Sequence, residues 1–206
     1  MAKQRAFEKQ LTPAIADSYN NLGAIMASQK SYADAWKLFE QAKAWSPTLE
    51  GLDYNMGRAA FMAADFSNAV PPLSRYLRSH PADSSIRGAL AMSRFMTQDY
   101  AGCIEALKGA GEEVSSIPQM QFIYADSLVK TGEVSLGTER LEKLEASSPE
   151  IAEVHRALGE VWELKGDCAK AMKEFDAANQ INPTDFETRY DIDRAELKCG
   201  SPATGR

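Results

Sequence analysis

The sequence predicts an all-α protein in which five pairs of helices follow one another in a linear array. Three observations predict it: a fixed spacing of prolines, apolar residues at helical intervals between them, and small residues at two constant places in every interval. The prolines share one register of 34 residues, with Ser115 in the single vacant place: Pro13, Pro47, Pro81, Pro149 and Pro183. A period of this length is typical of helical repeat arrays.

Each repeat is predicted to contain two amphipathic helices, A and B, because its apolar residues recur at helical spacing. We number the places within each repeat from 1, so that the periodic proline falls at place 32. The repeats then span 16–49, 50–83, 84–117, 118–151 and 152–185. The turn between the two helices ends in a Ser, Asp or Glu, and the Ser and Asp are good N-caps for helix B. The five turns are Lys30-Ser31, Ala64-Asp65, Gln98-Asp99, Gly132-Glu133 and Gly166-Asp167. The proline then ends helix B.

Small residues at places 8 and 20 predict a close approach of helices A and B. A large side chain there would overpack the pair, at a cost of ~1–3 kcal/mol. Place 8 holds Gly23, Gly57, Ala91, Ala125 and Gly159, and place 20 holds Ala35, Ala69, Cys103, Gly137 and Ala171.

The ends and the third repeat are less regular. We predict an N-terminal helix over residues 1–15. It is either a cap or the remnant of a preceding repeat, and the position of Pro13 in the proline register favours the remnant. Residues 186–199 predict a C-terminal capping helix with a polar surface, and residues 200–206 a flexible tail. The third repeat is degenerate: its helix B is expected to end near Lys108, with residues 109–116 as a longer loop. That irregularity is either a tolerated defect or a hinge.

The chain resembles the tetratricopeptide repeat (TPR) family over residues 16–185. The resemblance is carried by Tyr19, Leu22-Gly23, Ala35, Phe39, Ala42 and Pro47 in the first repeat, and by the equivalent Leu158-Gly159, Trp162, Ala171, Phe175, Ala178 and Pro183 in the fifth. It implies a right-handed superhelical solenoid whose A helices line a concave groove. It also implies a non-catalytic scaffold that binds another polypeptide.

The A helices carry a stripe that the resemblance places in the groove, at places 2, 5, 6, 9, 12 and 13. The stripe is polar in the first repeat, rich in aromatic residues and methionine in the middle repeats, and charged in the last. We expect it to bind an extended peptide or an amphipathic helix, although residues of these types at helical spacing also serve as core. The candidate residues are Asn20, Asn21, Tyr54, Asn55, Arg58, Phe61, Met62, Met92, Phe95, Met96, Phe122 and Asp126.

One family function is not expected. Chaperone-binding TPR domains hold a C-terminal carboxylate with Lys and Asn in the first repeat, Asn in the second, and Lys and Arg in the third. Asn55 matches the second-repeat asparagine, but Asn20 and Ala24 replace the first pair. Ser85 and Ala89 replace the basic pair. The carboxylate clamp is therefore absent.

Composition and motifs exclude other classes of protein. The formal net charge of −6 and the lack of a basic patch argue against nucleic acid as a partner. No apolar run approaches the roughly 20 residues that span a bilayer. Neither His80 nor His155 has a nucleophile partner that the sequence fixes, and no cofactor or metal motif is present. We therefore predict neither an enzyme, nor a cofactor, nor a metal site.

The three cysteines have different expected roles. Cys103 occupies a small-residue place and is expected to be a buried thiol. Cys168 begins helix B of the fifth repeat and Cys199 ends the capping helix, so a disulfide could join them if their Cα atoms lie within about 7 Å. Two free thiols are the alternative. The compartment is left open: cytoplasmic as the chain stands, exported if it is cut from a longer precursor.

Two other functions compete with peptide binding. The chain could be a structural segment of a longer array, in which case its ends would stack on neighbouring repeats or self-associate. It could also be a regulatory or targeting domain of a larger protein.

Overall fold

The computed structural model describes the backbone of residues 2–111 and 115–199 and the side chains of residues 11–111 and 115–198. Within these ranges the regular structure is α-helical, and no strand is present. The helices are α1 (Ala2–Ser28), α2 (Tyr32–Trp45), α3 (Leu52–Met62), α4 (Phe66–Ser79), α5 (Ser84–Met96), α6 (Tyr100–Lys108), α7 (Pro118–Lys130), α8 (Val134–Ser147), α9 (Ala152–Leu164), α10 (Cys168–Ile181) and α11 (Phe186–Cys199). None of them is long and apolar enough to cross a membrane.

The chain forms two compact units, Met1–Val114 and Ser115–Arg206. The N-terminal unit contains α1 to α6 and the C-terminal unit contains α7 to α11. In both units each helix A packs against the helix B that follows it. The A helices of successive repeats also touch inside a unit, α1 with α3, α3 with α5, α7 with α9 and α9 with α11. The division falls in the third repeat, the one that lacks the periodic proline.

The small residues at place 8 leave room for a large side chain from helix B. A Cβ atom added to Gly23 would lie 2.5 Å from the Phe39 ring, and one added to Gly159 would lie 2.5 Å from the Phe175 ring. Both phenylalanines are fully buried. Glycine is therefore required here for close packing, as the sequence predicts.

All five turns between helices A and B share one backbone feature. The first residue of the predicted turn pair adopts a left-handed conformation, whether or not it is glycine. The φ angles are 64° at Lys30, 56° at Ala64, 61° at Gln98, 96° at Gly132 and 78° at Gly166. The repeat therefore fixes the turn geometry more strictly than it fixes the residue type.

The predicted N-caps are confirmed at the aspartates. The carboxylates of Asp65, Asp99 and Asp167 each accept a hydrogen bond from the backbone N–H three residues later. Ser31 occupies the predicted N-cap position of α2, but its side chain makes no capping hydrogen bond.

Helix α1 differs from the sequence prediction. It continues from Ala2 through Pro13 to Ser28, so residues 1–15 do not form a helix separate from helix A of the first repeat. Proline inside a helix removes one backbone N–H and clashes with the preceding turn, at a cost of ~3 kcal/mol. The loss is confined to one turn, and the hydrogen bonds on either side can maintain the helix.

The third repeat and the cysteines complete the comparison. Helix α6 ends at Lys108 as predicted, and residues 112–114 of the expected loop lie outside the described residues. Cys103 is buried, as expected, and forms no disulfide. Cys168 is disulfide-bonded, while the Cys199 side chain and the tail 200–206 lie outside the described residues. The pairing of Cys168 with Cys199 stays a prediction.

Candidate binding surface

The A helices of the N-terminal unit bring the polar members of the stripe together. Asn20 of α1 is buried, and its Oδ1 atom accepts a hydrogen bond of 3.0 Å from Nδ2 of Asn55 in α3. This amide pair ties the first two A helices to each other. Each amide keeps further donor or acceptor capacity, since asparagine offers two N–H groups and an oxygen with two lone pairs. Asn21 is exposed beside the pair.

A hollow of about 310 Å³ opens between α1 and α3. Its walls are mainly apolar, and three predicted stripe residues, Asn55, Arg58 and Met62, contribute to its lining. Ligand pockets in proteins start at about this volume. The hollow is therefore large enough for one bulky side chain but small for a complete cofactor. Its remaining lining residues are Ala24, Ala27, Ser28, Tyr32, Phe39 and Ala59.

Arg58 provides the positive charge at this hollow. Its Nη1 atom donates a hydrogen bond of 2.9 Å to the Tyr54 hydroxyl, and its guanidinium lies 5.2 Å from the Tyr54 ring centre. Tyr54 in turn contacts Tyr76, with 5.2 Å between ring centres, and His80 stacks on Tyr76 at 4.2 Å. Because Arg58 is exposed and bonded here to a neutral hydroxyl, its charge remains available to an anionic partner.

The aromatic and methionine members of the stripe divide into two groups. Phe61 packs edge to face on Phe66 at 6.0 Å, and Phe95 packs in the same way on Tyr100 at 5.8 Å. Each of these phenylalanines thus contacts the first residue of its own helix B. By contrast, Met62 is 56% exposed and Met96 is 53% exposed, with Met92 half-buried. Among the apolar side chains of the stripe, the methionines are therefore the most accessible.

The two candidate residues of the C-terminal unit are differently placed. Phe122 is half-buried and packs against the core of that unit. Asp126 is 7% exposed. Burial raises the pKa of Asp126 to about 6, an effect that the Lys130 and Arg156 charges reduce and the Glu160 charge reinforces. Neither side chain offers a partner much surface.

Charged side chains of α7, α9 and α11 pair with one another in the C-terminal unit. Arg156 of α9 donates to Asp191 at 2.8 Å, to Glu160 at 3.2 Å and also to Glu187. Lys130 of α7 donates to Glu160 at 2.5 Å. Burial disfavours the Arg156 charge, but these carboxylates outweigh that effect and raise its pKa. Glu160 and Arg156 together therefore link α7, α9 and α11.

A second cluster of ion pairs surrounds Glu163, which is 8% exposed. Arg194 donates to Glu163 at 2.5 Å and to Asp191 at 2.7 Å, and Lys198 donates to Glu163 at 3.2 Å. The bond from Arg194 lowers the pKa of Glu163, although burial opposes the shift. The charges that the sequence places at the end of the stripe thus neutralise one another within the chain.

Comparisons with known proteins concern the fold of the chain. A tetratricopeptide repeat family model matches residues 125–186. Its fold is that of a tetratricopeptide repeat array. The chain shares this fold with several solved structures, whereas no functionally curated protein matches it by sequence.

Three of the similar structures show the extent of the match. YrrB, described as a TPR protein with an unusual peptide-binding site, has 16% identity and a TM-score of 0.68, covering 92% of this chain and 97% of its own. MamA from Desulfovibrio magneticus has 16% identity and a TM-score of 0.66, covering 83% and 97%. TTC0263 from Thermus thermophilus has 18% identity and a TM-score of 0.55, covering 88% and 99%. At these identities the likeness concerns the fold alone.

Proposed function

We propose that this protein is a non-catalytic scaffold that binds an extended polypeptide across α1 and α3 of its N-terminal unit. The observation that carries the proposal is the hollow lined by Asn55, Arg58 and Met62. It combines apolar walls, one hydrogen-bonding amide and one exposed cation, which are the features that a peptide site needs. The peptide-binding site described for YrrB is consistent with this use of the fold.

The chemistry of the hollow defines the peptide. Its volume suits one large apolar side chain, which would contact Met62 and the alanines of the wall. Burying such a side chain contributes about 1.5–3 kcal/mol. Arg58 favours a carboxylate beside that residue. The Asn55 amide lines the hollow and would bond the peptide backbone, while its hydrogen bond to Asn20 holds its orientation.

An extended segment suits this surface better than an amphipathic helix does. The hollow accepts a single side chain, whereas a helix presents several apolar residues along one face and needs a longer groove. In the C-terminal unit the equivalent A-helix positions are occupied by ion pairs. We therefore assign the specific contacts to the N-terminal unit.

Short synthetic peptides can test the proposal. Each carries Leu, Met, Phe or Ala at its centre, flanked by Glu, Gln or Lys, and its binding is measured by fluorescence anisotropy. We expect the peptides with a large apolar centre and Glu flanks to bind best. Ala24→Leu fills the hollow and should weaken this binding about 10–100-fold, the equivalent of one lost side chain. Ala101→Leu, at an exposed position of α6, is the matched control.

Charge reversal tests the role of Arg58 separately. Arg58→Glu should exchange the preference for Glu flanks for one for Lys flanks, while Arg78→Glu, an equal charge change on α4, should leave it unchanged. If no peptide binds, or if Ala24→Leu and Ala101→Leu behave alike, the proposed site is refuted. Light scattering on the same sample reports self-association, and a stable oligomer without peptide binding would favour the structural-segment alternative.

A further inference from the structure

Three side chains from three helices converge in the C-terminal unit, outside the binding surface described above. They are Glu145 of α8, His155 of α9 and Glu174 of α10. The Nδ1 atom of His155 lies 2.8 Å from Oε2 of Glu174 and 3.7 Å from Oε1 of Glu145. One ligand atom from each residue lies within 4.8 Å of the other two. The sequence gives no hint of this cluster, because its members are 10 and 19 residues apart.

The histidine is oriented by its second nitrogen. Nε2 of His155 lies 2.9 Å from the backbone carbonyl oxygen of Pro149, the periodic proline of the fourth repeat. With Nε2–H donating to this carbonyl, an ion can replace the proton on Nδ1, and the Nδ1 lone pair is then directed at an ion between the two carboxylates. Metal-binding histidines are commonly held in this way, with the non-coordinating nitrogen donating to a carbonyl or carboxylate.

The surroundings also suit a cation. His155 is 7% exposed and Glu174 is 5% exposed, so two carboxylates face one imidazole nitrogen in a poorly hydrated place. A proton on Nδ1 can form a hydrogen bond with Glu174, but Oε1 of Glu145 lies 3.7 Å from Nδ1, beyond hydrogen-bond distance. The other oxygen of Glu174, Oε1, is 3.2 Å from Nζ of Lys173. That contact orients the carboxylate and leaves Oε2 turned towards the cluster.

The separations are close to those of a tetrahedral metal site. Ligand atoms at 2.0–2.2 Å from Zn²⁺ lie roughly 3.3–3.6 Å from one another. The two distances from Nδ1 lie on either side of that range, and the third separation, between the two carboxylate oxygens, is within 4.8 Å. Shifts of up to about 1 Å would therefore bring all three ligand atoms to a tetrahedral ion. Imidazole and carboxylate ligands together suit Zn²⁺ better than they suit Ca²⁺ or Mg²⁺, which prefer oxygen donors.

We propose that Glu145, His155 and Glu174 form a binding site for a divalent transition-metal ion, with Zn²⁺ as the best fit. The ion joins α8, α9 and α10, and hence the fourth repeat to the fifth. Glu145 is half-buried, so its side of the site is open to a water molecule as the fourth ligand. A ligand that binds only the folded chain raises the free energy of unfolding.

Isothermal titration calorimetry of the full chain with ZnCl₂ tests the proposal. The titration is made without chelating buffer or reductant, so that the disulfide of Cys168 stays intact and adds no thiolate ligand. We expect one Zn²⁺ per chain and a higher Tm in its presence. Weak binding at many sites, or no binding, would overturn the proposal and leave a buried ion pair.

Two variants connect the binding to these residues. Glu145→Gln removes a ligand that makes no short hydrogen bond in the described structure, so the fold should survive while Zn²⁺ affinity falls at least tenfold, as for loss of a metal-ligating group. Glu142→Gln, an exposed change on the same helix, and His80→Ala, which alters the other histidine, should both bind as the parent does. Equal affinity in Glu145→Gln and Glu142→Gln would refute the site.

Discussion

Asp126 is a carboxylate that the fold holds in a place unfavourable to its charge. The pKa of Asp126 is about 6 in the folded chain and 3.8 for an unperturbed aspartate, and burial is the main cause. At 1.36 kcal/mol for each pKa unit, this difference makes ionised Asp126 cost about 3 kcal/mol of folding free energy. Replacing it with asparagine keeps the shape of the side chain and removes the ionisation.

The sign of the pH dependence follows from the direction of the shift. Because the folded pKa is the higher one, the unfolded chain loses the proton first as pH rises. Between about pH 4 and pH 6 the folded chain therefore holds a proton that the unfolded chain has lost, and stability falls as pH rises. The groups facing Asp126 are Lys130, Glu160 and Arg156, and their charges are already included in the shift.

We expect the benefit of Asp126→Asn to grow with pH. Ionisation of Asp126 lowers the free energy of unfolding of the parent by about 1 kcal/mol at pH 4.5 and by about 3 kcal/mol at pH 7.5. The stability of the variant relative to the parent should therefore rise by about 2 kcal/mol between these pH values. Urea unfolding, followed by circular dichroism and tryptophan fluorescence at both pH values, measures it. The difference between variant and parent is the useful quantity, because other carboxylates also titrate.

Asp176→Asn is the control, as Asp176 is an exposed aspartate of α10 in the same unit. Its effect on the free energy of unfolding should stay within a few tenths of a kcal/mol at both pH values. Our reasoning about burial would be refuted if Asp126→Asn showed the same difference from the parent at both pH values. It would also be refuted if that difference moved in the destabilising direction as pH rose.

Three more predictions concern the packing, the turns and the disulfide. Gly159→Ala places a Cβ 2.5 Å from the Phe175 ring and should lower the free energy of unfolding by ~1–3 kcal/mol. A Cβ at Gly111 meets no atom within 4 Å, so Gly111→Ala should be close to neutral. Urea titration of both variants separates steric overlap from a general effect of replacing glycine. Ala64→Gly relieves a left-handed alanine with φ of 56° and should raise Tm, corresponding to ~1 kcal/mol, and a lower Tm would contradict this account of the turn. If the disulfide of Cys168 closes a loop of about 30 residues, Cys168→Ser should lower the free energy of unfolding by roughly 3–4 kcal/mol. Peptide mapping under non-reducing conditions would overturn the assignment if it paired Cys168 with any residue other than Cys199.

Local features are predictable because they depend on short stretches of chain. The 34-residue proline register and the small residues at place 8 set the helix pairs, and the structure shows Phe39 and Phe175 in the space that glycine leaves. Gly132 and Gly166 locate their turns correctly. The left-handed conformation of Ala64 is not foreseeable from its residue type, since alanine disfavours it.

Features that depend on several helices are only partly predictable. The sequence places Asn20, Asn55, Arg58 and Met62 on A helices, but only the packing of α1 against α3 forms the amide pair and the hollow. Residue type also cannot distinguish an exposed aromatic from a packed one, which is why the sequence groups Phe61 with Met62.

The sequence by itself determined the repeat length, the helix pairs, their turns and the closely packed glycines, because each of these follows from residues within one 34-residue period. The tertiary structure alone decided which charges are paired and which side chains meet across repeats. Arg156 reaches Asp191, and His155 reaches Glu174, because helices distant in sequence pack at a separation that side chains can span. Such contacts depend on distances in space, which a linear pattern does not encode.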